Sequence, residues 1–172
     1  GVAPEMIWVK CRTDTTSWMV YHAALTGTKY LTLDTTAAAV THNGNWNNTN
    51  PTDSVFTVGD GATNVAQAQI AYLFATVAGV SKVGSFTTTG SDVNVDCGFS
   101  NGARFVLIKR TDGNAEWWFW DSITAGNDSR LTLHDNGAAA SANNIDPYSA
   151  GFTMKTNIIG PSGQNYIFYA IA

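Results

Sequence analysis

The feature that most constrains this chain is a strand–bend–strand pattern that occurs twice. Arg104 to Trp120 places four apolar residues before an Asp-Gly-Asn bend and four aromatic residues after it. Such a pattern predicts a hairpin whose strands are buried on both faces. Glu5 to Tyr21 matches this stretch without a gap, so that Lys10 corresponds to Lys109 at a spacing of 99 positions. The chain therefore reads as a tandem duplication of a β-rich segment.

The match continues beyond the hairpins, with smaller changes in spacing. Between the two copies, Lys82 to Phe86 and Val93 to Cys97 flank the turn Thr89 to Asp92, which predicts a further hairpin. Its equivalent in the first copy is expected to lie ahead of Gly1, outside this sequence. The other matched segments are Tyr30 to Leu33 with Arg130 to Leu133, Phe56 to Val58 with Phe152 to Met154, and Gln69 to Ala75 with Tyr166 to Ala172.

The composition favours strands over helices. Only two glutamates and five lysines occur, whereas threonine, valine, asparagine and aromatic residues are abundant. We predict an all-β fold, an antiparallel β-sandwich of jelly-roll or concanavalin-like type. It would consist of two tandem modules, residues 1–76 (lacking a leading hairpin) and residues 77–172. A single larger sandwich in which the halves interleave remains an alternative.

Charge and hydropathy limit the partners. A net charge of −4 argues against binding nucleic acid through a basic surface. No apolar run approaches membrane-spanning length, so neither a nucleic acid nor a membrane is an expected partner. Cys11 and Cys97 do not correspond in the duplication, and both are expected to be unpaired thiols.

The residues that match in both copies are almost all apolar, and polar candidates such as His22, Asp14 and Glu116 have no similar counterpart. The aspartates lie in turn sequences, the histidines lack metal-ligand spacing, and no Gly-x-Ser-x-Gly motif is present. We therefore expect no enzyme activity, no catalytic residue, no cofactor and no metal. Calcium bound at Gly59-Asp60-Gly61 or at Asn127-Asp128 is the alternative.

The tryptophans in the strand runs are expected in the core, but Trp46 lies in an asparagine-rich loop, Asn43 to Asn48. A loop tryptophan between amides suits stacking on a sugar ring, with the amides bonding its hydroxyls. The alternative is that Trp46 folds back and plugs the edge of the sandwich. The predicted glycan or partner contacts are Asn45, Trp46 and Asn47, with Tyr148 in the corresponding loop of the second copy.

Several longer phrases resemble a repeated domain of unknown function in tailed-phage virion proteins. They are Gly1 to Lys10, Trp18 to His22, Ser81 to Phe86 and Cys97 to Asp112, and the likeness extends through Tyr166 to Phe168. The resemblance implies a lectin-like β-sandwich in tail, fibre or other particle proteins, with no catalytic residues to carry over. It also implies a leading hairpin ahead of Gly1.

These observations predict a phage virion structural protein, a component of the tail, fibre or capsid surface. Its modules would serve assembly and host-surface attachment after synthesis in the host cytoplasm. The expected partners are copies of itself, other virion proteins and a host surface glycan. The alternative is a carbohydrate-binding, lectin-like module of a secreted or surface protein.

Overall fold

The computed structural model describes residues 1–122, 129–141, 143–156 and 160–172. All strand pairings among these residues are antiparallel, which confirms the predicted all-β antiparallel fold. The chain divides into two compact units, Gly1–Ala75 and Thr76–Ala172. Within the described ranges, no helix has the length and apolar character needed to cross a membrane.

Unit 1 contains one five-stranded sheet in the order β4-β3-β2-β1-β5. A short 3-10 helix, Ala23–Leu25, follows β2. His22 is the N-cap of this helix, and the Nδ1 atom of His22 accepts a hydrogen bond from the Ala24 amide. The strands are β1 (Met6–Cys11), β2 (Met19–His22), β3 (Lys29–Thr32), β4 (Val40–Thr41) and β5 (Gln69–Phe74).

Unit 2 contains two sheets. The first has six strands in the order β11-β10-β9-β8-β14-β6, and the second has three in the order β12-β13-β7. The strands are β6 (Ser81–Thr87), β7 (Val93–Asp96), β8 (Phe105–Arg110), β9 (Trp117–Asp121), β10 (Ser129–Thr132), β11 (Ala140–Ser141), β12 (Ile145–Tyr148), β13 (Gly151–Met154) and β14 (Asn165–Ile171).

The two predicted aromatic hairpins share one register. Met6 on β1 faces His22 on β2, and Phe105 on β8 faces Asp121 on β9. The two facing pairs are related by the same spacing of 99 positions as the sequence match. Matched side chains therefore point to matched faces of the two hairpins, although the extent of their burial differs between the two units.

The matched lysines perform the same task in each hairpin. The Lys10 ammonium group donates to the carbonyl oxygen of Thr16 at 2.6 Å, and that of Lys109 donates to the carbonyl oxygen of Ala115 at 2.5 Å. Both acceptors lie six positions after the lysine. Each lysine thereby binds the bend that follows its own strand. Burial, with a smaller contribution from the charge of Arg110, lowers the pKa of Lys109 to about 8.

The core of unit 2 draws on both of its sheets. Trp120 and Phe168 come from the six-stranded sheet, whereas Phe152 comes from the three-stranded sheet, and all three are buried. Phe86 on β6 lies against these residues, with its ring centroid 6.4 Å from those of Phe152 and Phe168. In unit 1, a smaller cluster is formed by Ile7, Val9, Met19, Tyr21 and Trp46.

Two expectations from the sequence need correction. The predicted hairpin between the copies is wrong, because β6 pairs with β14 and β7 pairs with β13, so the segment passes from one sheet to the other. Its turn residues would suit a hairpin equally well, and the distant partners decide the outcome. Burial of the strand tryptophans holds for Trp117, Trp118 and Trp120, whereas Trp8 and Trp18 are only half-buried.

Candidate functional site

Trp46 does not present its ring to solvent. The side chain is 1% exposed, and it meets the Tyr21 ring edge-on with centroids 5.8 Å apart. Asn45 is buried beside it at 3% exposure, and its carbonyl oxygen accepts hydrogen bonds from the Gly59 amide and the Thr63 hydroxyl. This geometry agrees with the alternative in which the loop tryptophan folds back into the core. In this conformation the indole offers no free face to a sugar.

The loop that contains Asn45 and Trp46 packs against a second loop. Two stretches, residues 42–47 and residues 59–64, lie directly against each other, and the Gly61 amide donates to the carbonyl oxygen of Gly44 at 2.6 Å. A Cβ added at Gly61 would come within 2.6 Å of the Asn45 Oδ1 atom, and one added at Gly59 would collide with the Gly44 carbonyl. Glycine is therefore required at the contact between the two stretches.

The two stretches enclose a polar hollow of about 350 Å³. Its lining includes the exposed side chains of Asn43, Asn47, Asp60 and Asn64. Asn47 has a φ of 48°, a left-handed conformation that asparagine adopts more readily than most residues. Amides and a carboxylate can bond the hydroxyls of a polar ligand. Of the four predicted contacts, Asn47 is the one placed in this hollow.

Gly59 and Asp60, two residues of the first calcium candidate, line this hollow. Asp60 supplies its one carboxylate, and the described part of the chain holds no group of three His, Cys, Asp or Glu residues suited to a metal. The second calcium candidate, Asn127-Asp128, lies outside the described residues.

Tyr148, the fourth predicted contact, belongs to unit 2. It is half-buried at the end of β12, where it faces Gly151 on β13. Its backbone carbonyl leaves no room for a Cβ at Gly102, which has a φ of 80°. Tyr148 and the loop residues are therefore found in different units.

Several aspartates stabilise turns and strand ends, as the sequence predicts. Asp112 accepts hydrogen bonds from the Arg110 guanidinium at 2.7 Å and from the Asn165 amide at 2.9 Å. Burial alone would raise the pKa of Asp112, but these bonds outweigh it and hold the pKa below its usual range. Asp96 accepts from the Gly98 amide, and Asp135 accepts from the Gly137 amide.

A second candidate surface, which the sequence reasoning missed, lies along β5. Among the described strands it pairs with β1 alone, and it stands at the end of the sheet of unit 1. Three of its apolar side chains are substantially exposed, with values of 39% for Ile70, 44% for Tyr72 and 55% for Leu73. A sheet edge of this length with apolar side chains is a template for pairing with another strand. We call this strand and its exposed side chains the β5 edge.

An apolar groove adjoins the β5 edge. It has a volume of about 380 Å³ and runs from Leu73 to Phe56. Val2, Pro4 and Val55 supply further apolar lining, and residues 52–54 supply the polar part. Leu73 belongs both to the groove and to the β5 edge, whereas Ile70 and Tyr72 point to the opposite face of the sheet, because side chains alternate along a strand.

A family model described as a domain of unknown function (DUF7483) matches residues 1–172, the whole of the chain. Comparisons of the chain with curated proteins and with solved structures found no match.

Proposed function

The chain belongs to the DUF7483 family, and we propose that it is a structural protein of a phage virion, placed in the tail, fibre or capsid surface. In this proposal the chain is a pair of duplicated β-sandwich modules, residues 1–76 and residues 77–172. The modules provide a stiff framework for contacts with other virion proteins or with copies of the chain. In this role the chain contributes to the assembly of the particle and does not act as an enzyme.

The β5 edge is the observation that supports an assembly role most strongly. Leu73 is more than half exposed on a strand whose outer edge no described strand covers. Soluble proteins usually protect such an edge with charge, proline or a covering segment. Here the strand reads Gln-Ile-Ala-Tyr-Leu-Phe and contains no charge and no proline. A partner in an assembly would remove this liability.

Particle composition and particle assembly provide the test. Mass spectrometry of purified particles, from a phage that encodes this chain, should find the protein at a fixed copy number. In complementation of a deletion, Leu73→Lys should reduce its incorporation at least tenfold, because a lysine on the edge opposes strand pairing. Val80→Lys is the matched control, since Val80 is also 55% exposed but lies outside β5. Absence of the protein from particles would refute the proposal.

Attachment to a host glycan is the second candidate, and the polar hollow is the observation that favours it. Three asparagines and Asp60 converge there on a loop fixed by the buried Trp46. A glycan array should then show a sugar whose binding falls at least tenfold in Asp60→Ala. The control is Asp53→Ala, an exposed aspartate outside the hollow. Binding that is equal in both variants would remove the hollow from consideration.

A further inference from the structure

We propose that the polar hollow of unit 1 binds an uncharged saccharide by its edge, through two adjacent hydroxyl groups, and rejects sugars that carry an acidic group. This inference rests on the second candidate function, attachment to a host glycan, and it names the class of sugar that the hollow takes. Three features of the two loops that enclose the hollow lead to it.

The first feature is that the polar groups of the two loops fall into two sets. One set holds the backbone, since the Thr63 hydroxyl donates to the Asn45 carbonyl oxygen and the Gly44 amide donates to the Nδ1 atom of His42. The side chains of the other set line the hollow and make no hydrogen bond to another residue in the described ranges of the chain. Their donors and acceptors are therefore available to a ligand. This second set consists of Asn43, Asn47, Asp60 and Asn64.

The second feature is that backbone hydrogen bonds already hold these residues in place. The Asn47 amide donates to the Asn43 carbonyl oxygen at 2.8 Å, and the Asn64 amide donates to the Gly61 carbonyl oxygen at 3.0 Å. The Gly61 amide joins the two loops through its bond to the Gly44 carbonyl oxygen at 2.6 Å. A ligand therefore meets groups whose backbone is ordered before binding, which lowers the entropic cost of association.

The hydrogen-bonding groups of the lining suit a pair of adjacent hydroxyls. A side-chain amide both donates and accepts, whereas an ionised carboxylate only accepts. Each hydroxyl of such a pair can donate to the Asp60 carboxylate or to an amide oxygen and can accept from an amide NH2 group. Val58, which is 37% exposed in the same lining, offers a contact for C–H groups of the sugar ring. Since the described lining contains no aromatic residue and Trp46 is buried, the sugar enters by its edge and not by stacking.

The third feature is the charge of the hollow, which distinguishes between kinds of sugar. Asp60 is the one charged side chain among the described residues that line it. His42 stands beside Asp60, because a Cβ on Gly44 would lie 2.4 Å from the His42 Cε1 atom and 3.0 Å from the Asp60 Oδ1 atom. The Nδ1 atom of His42 accepts the Gly44 amide, a bond that only the neutral imidazole can make. An acidic sugar would therefore place its carboxylate near Asp60 with no cation in the lining to offset the repulsion.

The test uses pairs of methyl glycosides that differ only in an acidic group, the neutral hexoside and the matching uronide, in the glucose, galactose and mannose series. Nitrogen–proton NMR spectra of the full chain, recorded at neutral pH with EDTA present, locate binding through shifts of the backbone amides. At least one neutral hexoside should shift amides of residues 43–47 and 58–64. Its uronide should bind at least fivefold more weakly, because like charges repel even in water.

Two variants separate the charge of the hollow from its shape. Asp60→Asn keeps the shape of the side chain and removes its charge, so the affinities for hexoside and uronide should come within about twofold of each other. Asp53→Asn is the matched control, since Asp53 is exposed outside the hollow, and it should keep the difference of the wild type. Gly44→Ala retains all four polar side chains but displaces His42 and Asp60, so it should weaken hexoside binding at least fivefold.

Three results would overturn the inference. They are no shift of these amides with any neutral hexoside, equal or tighter binding of a uronide by the wild type, and binding that appears only when calcium replaces EDTA. The proposed functions fail separately. An acidic sugar bound in the hollow would exclude this class of ligand and leave attachment to a host glycan intact. Absence of binding by every sugar would also remove the glycan role, whereas the assembly role depends on the particle experiments alone.

Discussion

Replacement of Trp46 by alanine tests whether the asparagine-rich loop is held from within. The indole is 1% exposed, and its Nε1 atom has no hydrogen-bond partner among the described residues. The loss is therefore one of packing. Large-to-small replacement of a buried tryptophan costs about 3–5 kcal/mol, a range that includes a cavity contribution. The edge-on contact with Tyr21, at 5.8 Å, places the variant toward the upper part of that range.

Thermal unfolding followed by circular dichroism measures this cost. If the chain unfolds cooperatively, about 2–4 °C is lost per kcal/mol, so Trp46→Ala should melt roughly 6–20 °C lower. Asn64→Ala, an exposed position of the same loop surface, should remain within about 0.5 kcal/mol of the wild type. A Trp46→Ala protein that melts with the wild type would refute the packing role. The indole would then lie outside the core in solution.

Three further predictions concern buried groups of the sheets. Folding lowers the pKa of the Lys109 ammonium group from 10.5 to about 8. Between these pH values the unfolded chain keeps a proton on Lys109 that the folded chain has lost, so the free energy of unfolding should rise with pH. In urea unfolding, the free energy of unfolding of the wild type should rise by at most about 3 kcal/mol relative to that of Lys109→Met between pH 8 and 10.5. A difference between the two proteins that does not change with pH would contradict the lowered pKa. Burial raises the pKa of Cys97 to about 11, so the thiol should react slowly with a disulfide reagent at pH 8. Mass spectrometry should therefore find Cys97 labelled only when urea is present. Fast labelling of the folded protein would disprove its burial. Gly151→Ala should lose about 1–3 kcal/mol in the same urea assay, because the added Cβ meets the Val95 carbonyl, whereas Gly137→Ala should be nearly neutral.

The sequence predicts the parts of the fold that depend on local pattern. The bends at Asp14 and Asp112 and the apolar runs around them are enough to identify both aromatic hairpins. The gapless match between the two hairpin sequences also carries the register, since facing residues in one hairpin correspond to facing residues in the other. The paired lysines are explained only by the structure, because their acceptors are backbone carbonyls that leave no signature in the sequence.

Features that depend on distant partners are not predictable in this way. Tyr72 and Tyr169 occupy matched positions, yet Tyr72 is 44% exposed and Tyr169 is half-buried. Among the described strands, β14 is paired on both edges, whereas β5 is paired on one. Trp46 lies in a polar loop by composition, so the sequence left open an exposed or a folded-back ring, and its burial and its contact with Tyr21 show that it is a core residue. The sequence did hold one signal of the β5 edge. The apolar strand β5 matches β14, but the described chain contains no counterpart of β6 to pair with it.

Gly84 on β6 faces Phe168 on β14, and a Cβ on Gly84 would come within 2.5 Å of that ring, which has a consequence for how this family evolves. The space between the two strands is fixed by the sum of both side chains, so neither position can vary alone. Relatives that carry a bulkier amino acid at position 84 should have lost the aromatic ring at position 168. In an alignment of the family, substitutions at positions 84 and 168 should therefore occur together wherever the pairing of β6 with β14 is retained.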